Sequence, residues 1–541
     1  MKNISFLSFP DTALNGEKDS LYVFRLRRSA GSYLYGYVLF RQQKNASVRR
    51  GYLQQSVCVL SPHPFVGLFL RIAELAGSFY FEFGTRILEV AAHSICSWPA
   101  LEDLKRSSFL EFPFVGEIIR YALPALKMQA RFAVPNVYLF AQGGADIRET
   151  EGTLVRKGSG KVKGKGKEKR KGTRTAQVHR LPRQAPGTPP LTARDGDSTL
   201  RLPPRCCPFD EIASGFHLAG VITNIFHLWE LVLCARPILC YGTSPEAASS
   251  AVLALVSLVN PISYAGDFRP FITVQDSDFA ELTSAGEAPR ILGVTNPLFL
   301  KGPVEWETVV QVGSAPDTVI RGSSFLRGWK ESFVSKRKPT IPCDKAFIRA
   351  LQLPEASRRK AFEVQRICSM LRSYMKSLTE AFIAPLQEYC DEYVAEVSTK
   401  ISPVCAPPPV QYFEENNFLR FLASYNWNSP GNHALLKKMS RKDLASLYRS
   451  FIRSRNFAEW HSVRWEEAMK IFNEIYRSTL YNADILGVLH GKEISIRIDL
   501  QLRIESELSR EESKPNGGNN AMIARLKEQL SLIHSLTVNT K

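Results

Sequence analysis

Asp276-Ser277-Asp278, at the end of an apolar stretch, is the pattern in this chain closest to catalytic chemistry. If that stretch is an extended strand, its two carboxylates project to one side and could hold a divalent cation with a diphosphate, as metal-dependent glycosyl transfer requires. The pattern is short, and two acids at a strand end serve equally well as a solvent-facing stop. No second metal ligand or nucleotide-binding signature accompanies it. His217 and His227 stand near Cys206, Cys207 and Cys234, yet their spacings fit no zinc pattern. Both histidines fall on a mostly apolar helix, where core or rim positions are expected. The nucleophile elbow G-x-S-x-G, the metalloprotease H-E-x-x-H, the dinucleotide fingerprint G-x-G-x-x-G and the phosphate loop G-x-x-x-x-G-K-[ST] are all missing from the sequence. Bond-making catalysis has little support, and no cofactor or bound metal is expected.

The elements around the acidic pair are clearer than its chemistry. Between Leu228 and Phe279 almost every polar residue sits at a turn or a helix start. Residues 237–241 form an apolar run too short for a helix and continuous enough for a strand covered on both faces. Gly242 and Thr243 make a turn and Ser244 is a natural N-cap. Pro245 and Glu246 suit the first helical turn, where a missing N–H costs nothing and a carboxylate favours the dipole. The helix over residues 247–259 is apolar nearly all round, which predicts burial against a sheet, and Asn260-Pro261 ends it. Residues 269–275 read as the next strand, running up to Asp276 and Asp278.

This order resembles the central module of DENN-domain proteins, and DENN subfamily six in particular: a helix bearing Trp229, a strand, the helix start SPEAASS, and the strand DFRP leading to acidic residues. Residues 35–60 (YGYVLFRQQKNASVRRGYLQQSVCVL) resemble the family's upstream module. Residues 291–299 (ILGVTNPLF) follow at the family's spacing, and residues 451–460 (FIRSRNFAEW) resemble a late helical segment. The resemblance implies an α/β plus all-α chain in three parts: a longin-like module (residues 1–145), a central sheet module (206–340) and a helical module (341–508). Between the first two lies a basic insertion (146–205), and a flexible tail with a short helix (509–541) ends the chain. Relatives in that family carry more sequence ahead of the segment FLSFPD, including an opening strand. The chain is therefore expected to start inside its first module, with a sheet edge open to another chain.

The same resemblance implies a guanine-nucleotide exchange factor for a Rab GTPase, cytoplasmic and peripheral on endosomal, recycling membranes. Exchange needs no reactive atom, because a protein that binds the nucleotide-poor GTPase more tightly than the loaded one speeds release. Open α/β sheets bind partners at the carboxyl ends of their strands. Ser244, Glu246, Ser249, Asp267, Arg269, Asp276 and Asp278 are the candidate contacts gathered there, forming an acidic rim. Two alternatives stand beside this: a non-exchanging scaffold of the same architecture, and a glycosyltransferase using Asp276 and Asp278.

The net charge of +18 belongs mostly to one place. Residues 151–205 hold 15 Lys and Arg against 4 Asp and Glu, leaving +7 for the rest of the chain. The run from Lys157 to Arg174 has only Val162 as an apolar side chain to bury and should be extended and solvated, able to hold acidic head groups weakly. Ten scattered cysteines without a C-x-x-C predict reduced thiols, and no apolar stretch reaches the length of a membrane span. In the first module, residues 33–41 and 52–60 form a hairpin. Pro62 and Pro64 start a helix whose stripe is Phe65, Phe69, Ile72, Ala73 and Ala76. In the helical module, Ile367, Met370, Leu371, Tyr374, Leu378 and Phe382 form another stripe, and Pro385 is expected to kink or end that helix. Further helices are expected over residues 441–454 and 460–482.

Overall fold

The computed structural model of the chain describes residues 2–11, 19–29, 32–48, 51–98, 110–121, 138–144, 153–156, 219–283, 290–301, 306–313, 333–352, 361–406, 413–428, 432–514 and 519–538. Apart from residues 153–156, which form a strand rather than part of a loop, the basic insertion lies outside them, as do Cys206, Cys207 and His217. After a short helix α1 (Lys2–Ser8) come β1 (Ser20–Ser29), β2 (Ser32–Lys44) and β3 (Tyr52–Ser61). With β6 (Tyr138–Gly144) and β7 (Thr153–Arg156) they make an antiparallel sheet in the order β1-β2-β3-β6-β7. The expected hairpin is β2 and β3, and β1 precedes it as the edge strand. β4 (Leu110–Phe114) and β5 (Glu117–Tyr121) form a separate hairpin.

Period-two patterning gives this first sheet two apolar faces. Val23, Tyr37, Val57 and Val59 pack under α2 (Val66–Phe83), whose buried stripe of Phe69, Ile72, Ala73 and Ala76, with Phe65 just ahead of it, is the expected one. Tyr22, Phe24, Val38, Phe40, Cys58 and Leu60 face the other way, onto Leu7 of α1 and onto Ala248 and Phe271 of the central module. α3 (Arg86–Cys96) packs beside α2.

The central sheet runs in the order β12-β11-β8-β10-β9, built from β8 (Ile238–Gly242), β9 (Asp267–Arg269), β10 (Arg290–Val294), β11 (Thr308–Val312) and β12 (Phe333–Ser335). All its pairings are parallel except the β11–β12 edge. α4 (Ile225–Leu233) leads into β8, and α5 (Pro245–Ser257) crosses from β8 to β9. α5 sits close on the sheet because small residues let it: a Cβ on Gly242 would lie 2.6 Å from the Ala248 nitrogen, and one on Gly293 3.1 Å from the Ala248 carbonyl oxygen. The strand expected over residues 269–275 is shorter than read, covering only Asp267–Arg269. Pro270 has no N–H for the ladder, so regular pairing stops there, with one further bond from the Ile272 N–H to the Gly293 carbonyl of β10 at 3.0 Å. Two short helices, α6 (Phe279–Leu282) and α7 (Leu298–Lys301), follow β9 and β10.

The helical module contains α8 (Lys345–Leu351), α9 (Ala361–Lys400), α10 (Glu415–Ser424), α11 (Ala434–Lys438), α12 (Arg441–Ile452) and α13 (Arg455–Tyr481). Pro385 does not end α9, which runs on to Lys400. Phe382, Ile383 and Leu386 around it are buried, and the Tyr448 hydroxyl donates to the Phe382 carbonyl at 2.6 Å, so packing holds the turn that proline weakens. The polar tail is also corrected. After α14 (Ile485–Leu489), α15 (Ile494–Glu512) carries the chain past Ser509, and α16 (Asn520–Val538) is a 19-residue helix. Leu500, Ile504, Leu526 and Ile533 are buried with Phe472 and Leu480 in a second helical core. Gln529 donates to the Leu480 carbonyl at 2.7 Å. Among the described residues no helix is long and apolar enough to cross a membrane.

Candidate functional site

The start of α5 is built as its sequence requires. Ser244 has extended backbone angles, and its hydroxyl accepts the Ala247 N–H at 3.1 Å, so the cap is occupied from within. Glu246 is exposed in the first turn, where neighbouring protein mass raises its carboxyl above the ordinary range. Ser249 is buried and donates to the Glu246 carbonyl at 3.3 Å.

The other candidates form one network, and it points inward. Arg269 is 1% exposed. Its Nε donates to both Asp267 oxygens at 3.0 and 3.2 Å, its Nη2 to Asp278 at 2.9 Å, and its Nη1 to the Arg25 carbonyl of β1 at 3.2 Å. Arg25 returns the contact, donating through Nη1 to the Phe268 carbonyl at 3.1 Å and lying 3.7 Å from Asp267. Its guanidinium is sandwiched between the rings of Tyr33 and Phe268, 3.4 and 3.8 Å from their centroids. Two arginines thus each bond the other's strand. A buried guanidinium persists only when paired and hydrogen-bonded. Burial works against the Arg269 charge, but Asp267 and then Asp278 outweigh it and the group is held firmly protonated.

Asp276 and Asp278 do not act as a pair. The D-x-D stretch is a turn in which the Asp276 carbonyl accepts the Phe279 N–H at 3.1 Å, so the expected extended geometry is lost. Asp278 faces Arg269, whereas Asp276 Oδ1 accepts from Asn3 at 3.3 Å and from the Asp278 N–H at 2.9 Å. Asp276 Oδ2 is buried with no hydrogen-bond partner among the described residues, and burial raises this carboxyl. The Ser277 hydroxyl and N–H are both bonded to Asn3 as well. Asp11 accepts from the Val274 N–H at 3.0 Å and from Asn296 at 3.2 Å. Residues 3–11 therefore lace across the carboxyl ends of β9 and β10. The rim read as solvent-facing is largely an internal joint, because these charges find partners on the first module.

Among the described residues no three His, Cys, Asp or Glu side chains are grouped to hold a metal ion. His227 rests edge-on against Phe333, with ring centroids 5.3 Å apart, and burial lowers its pKa. Burial pushes the Cys234 thiol up to about 12, the opposite of an activated nucleophile.

Asn3, Asp11, Arg25 and Asn456 were not singled out from the sequence. Arg25 left a signal, a charge at an inward phase of an alternating strand. Asn456 left none. It donates to the Val232 and Leu233 carbonyls at 2.8 and 2.9 Å and accepts the Ala265 N–H at 2.8 Å, closing the carboxyl end of α4 from α13. Beside it, Trp229 Nε1 donates to Thr379 at 2.8 Å, with its ring edge-on to Phe382.

No family model matches the chain. Individual proteins do. It is 29% identical to the Protein DENND6 homolog of Dictyostelium discoideum, a match covering 94% of this chain and 73% of that protein. It is 26% identical to Protein DENND6A of Gallus gallus and 27% identical to Protein DENND6B of Mus musculus, each match covering 94% of this chain and 81% of the relative. The resemblance to DENN subfamily six thus holds along nearly the whole chain.

Proposed function

We propose that this chain is a guanine-nucleotide exchange factor for a Rab GTPase, acting in the cytoplasm and at endosomal membranes in vesicle traffic. The observation that carries the reading is the similarity to DENND6 proteins over 94% of the chain. The joint between the two sheets is consistent with it. An exchange factor must hold a GTPase in its opened form, which calls for a platform that does not yield when the partner deforms. A sheet buried on both faces and strapped to a second sheet by paired arginines is such a platform.

Within this reading the seven candidates divide by burial. Ser249, Arg269 and Asp276 are buried and set the platform's shape. Glu246, with the reachable faces of Ser244, Asp267 and Asp278, is left for the GTPase. Phe6 on α1 and Leu298 on α7, 36% and 56% exposed, flank the Asp11–Asn296 bond in sequence and supply apolar anchors of the kind that dominate such contacts.

The test is GDP release from a panel of Rab GTPases with the full chain present. Accelerated release from at least one member is expected. A flat panel, with the chain folded and still binding a Rab, would replace exchange by the scaffold reading.

A further inference from the structure

The end of α11 and the start of α12 carry four cations in six residues, Lys437, Lys438, Arg441 and Lys442, all exposed. Two of them break a local rule. Arg441 and Lys442 occupy the first turn of α12, where the helix dipole disfavours positive charge. Arg441 spends one N–H on the Ala423 carbonyl at 3.0 Å, and Lys442 pairs with no carboxylate among the described residues. The nearest acids are already engaged. Asp443 accepts the Ser440 hydroxyl at 2.7 Å. Asp344 accepts the Ala346 and Phe347 N–H groups and the Tyr374 hydroxyl. Its carboxyl is held below the ordinary range first by Phe347, then by Tyr374, with Lys438 adding its charge.

The loop that Arg441 holds carries two aromatic side chains. Tyr425 and Trp427, both half-buried and with rings 5.0 Å apart, lie in the loop after α10. Arg441 fastens that loop at Ala423, and Asn432 fastens it by donating to the Asn426 carbonyl at 3.0 Å. Lys442 has no carboxylate partner among the described residues, and the positive charge it sets against the helix dipole is open to an anion outside the chain. Amphipathic rings beside clustered Lys and Arg are the composition that settles at a bilayer interface, rings at the head-group level and cations on anionic lipid.

We infer that the α11–α12 corner, with Lys438, Arg441 and Lys442, together with Tyr425 and Trp427 of the loop that Arg441 holds, docks the chain on an anionic phospholipid surface. The site is made of residues other than the Lys157 to Arg174 run and is independent of exchange activity. Ser440, the α12 cap at its centre, allows a graded change: S440D keeps an acceptor for the Asp443 N–H but gives up the hydroxyl bond to the Asp443 carboxylate and adds a negative charge to the patch.

The test is sedimentation of the full chain with vesicles of phosphatidylcholine and phosphatidylserine in equal amounts, against phosphatidylcholine alone. A full-length background in which every Lys and Arg of the 157–174 run is Gln removes the competing lipid site. In that background the chain is expected to sediment with the anionic vesicles only. K438E/K442E should lower partitioning at least about tenfold, and S440D should lower it less. K442E places an acid at the start of α12, whereas K438E takes a cation from the last turn of α11 and S440D sets a carboxylate beside Asp443, so a lowered melting midpoint is expected for the latter two. The single variant K442E, with an unaltered midpoint, is the control in which reduced anionic binding reads as loss of the patch. Anionic binding that K438E/K442E leaves intact, or equal binding to both vesicles, overturns the inference. Loss of an acidic protein's binding with lipid binding unchanged assigns the corner to a protein partner and overturns it equally.

Discussion

The central module is joined to its two neighbours by opposite chemistry. Toward the first module the joint is ionic, with Arg25 and Arg269 crossed over Asp267 and Asp278 at 1–8% exposure of the arginines. Toward the helical module it holds no buried ion pair among the described residues: Asn456 closes the end of α4, Trp229 reaches Thr379, the Glu230 carboxylate accepts the Thr340 and Ile341 N–H groups, and apolar side chains do the rest. A seam without buried ion pairs adds stability with little directional demand, whereas a buried charged joint fixes one arrangement and fails badly when one member is removed. On that contrast, the face proposed to meet a GTPase is braced for geometry and the rear seam for bulk stability.

The contrast can be broken at its strongest point first. Arg269→Ala leaves Asp267 and Asp278 without their buried partner and should cost about 3–5 kcal/mol, read as a fall in the denaturant midpoint. Under the proposed function, any folded fraction should also lose GDP-release activity. An Arg269→Ala loss under 1 kcal/mol would show that the ionic joint is dispensable. Asn456→Ala orphans two carbonyls and one N–H and should cost about 2 kcal/mol, equally at low and high salt, since no charge is involved.

The finest distinction is pH dependence. The Asp276 carboxyl is raised in the folded chain by burial, so the folded state binds its proton more tightly than the unfolded state does. Its contribution therefore favours folding in acid and is lost as pH climbs from the ordinary aspartate range through the raised native value. Asp276→Asn should remove that slope and raise the melting midpoint slightly at neutral pH. Asn456→Ala should leave the slope untouched.

How much could be read beforehand followed the range of the interactions. β8, the Ser244 cap and the α2 stripe are written in neighbouring residues, and the structure places them as expected. β1 was missed because Arg25, Arg27 and Arg28 interrupt its apolar alternation, although Tyr22, Phe24 and Leu26 keep the period. α15 was missed because its apolar residues alternate from Ile494 through Ile498 and Leu500 to Ile504, the period of a strand, and the partners of Leu500 and Ile504 on α13 and α16 decide which are buried. Pro385 and the shortened β9 are the two directions of one lesson: packing overrides a breaker where neighbouring groups compensate, and not where a ladder needs the missing N–H. At the candidate site the residue types were visible but their orientation was not. Arg25 meets Phe268 across 243 positions of sequence, and no local pattern announces a contact of that separation.

The crossed arginines also bear on how this sequence can change over time. Each guanidinium bonds the backbone of the other's strand, and both lean on Asp267, so a drift at position 25 alters the surroundings of position 269 at once. Neither can be exchanged freely while the other stays. The pair is expected to be inherited as a unit, with substitutions at one position compensated at the other or at position 267, leaving a correlated trace across descendants of the chain.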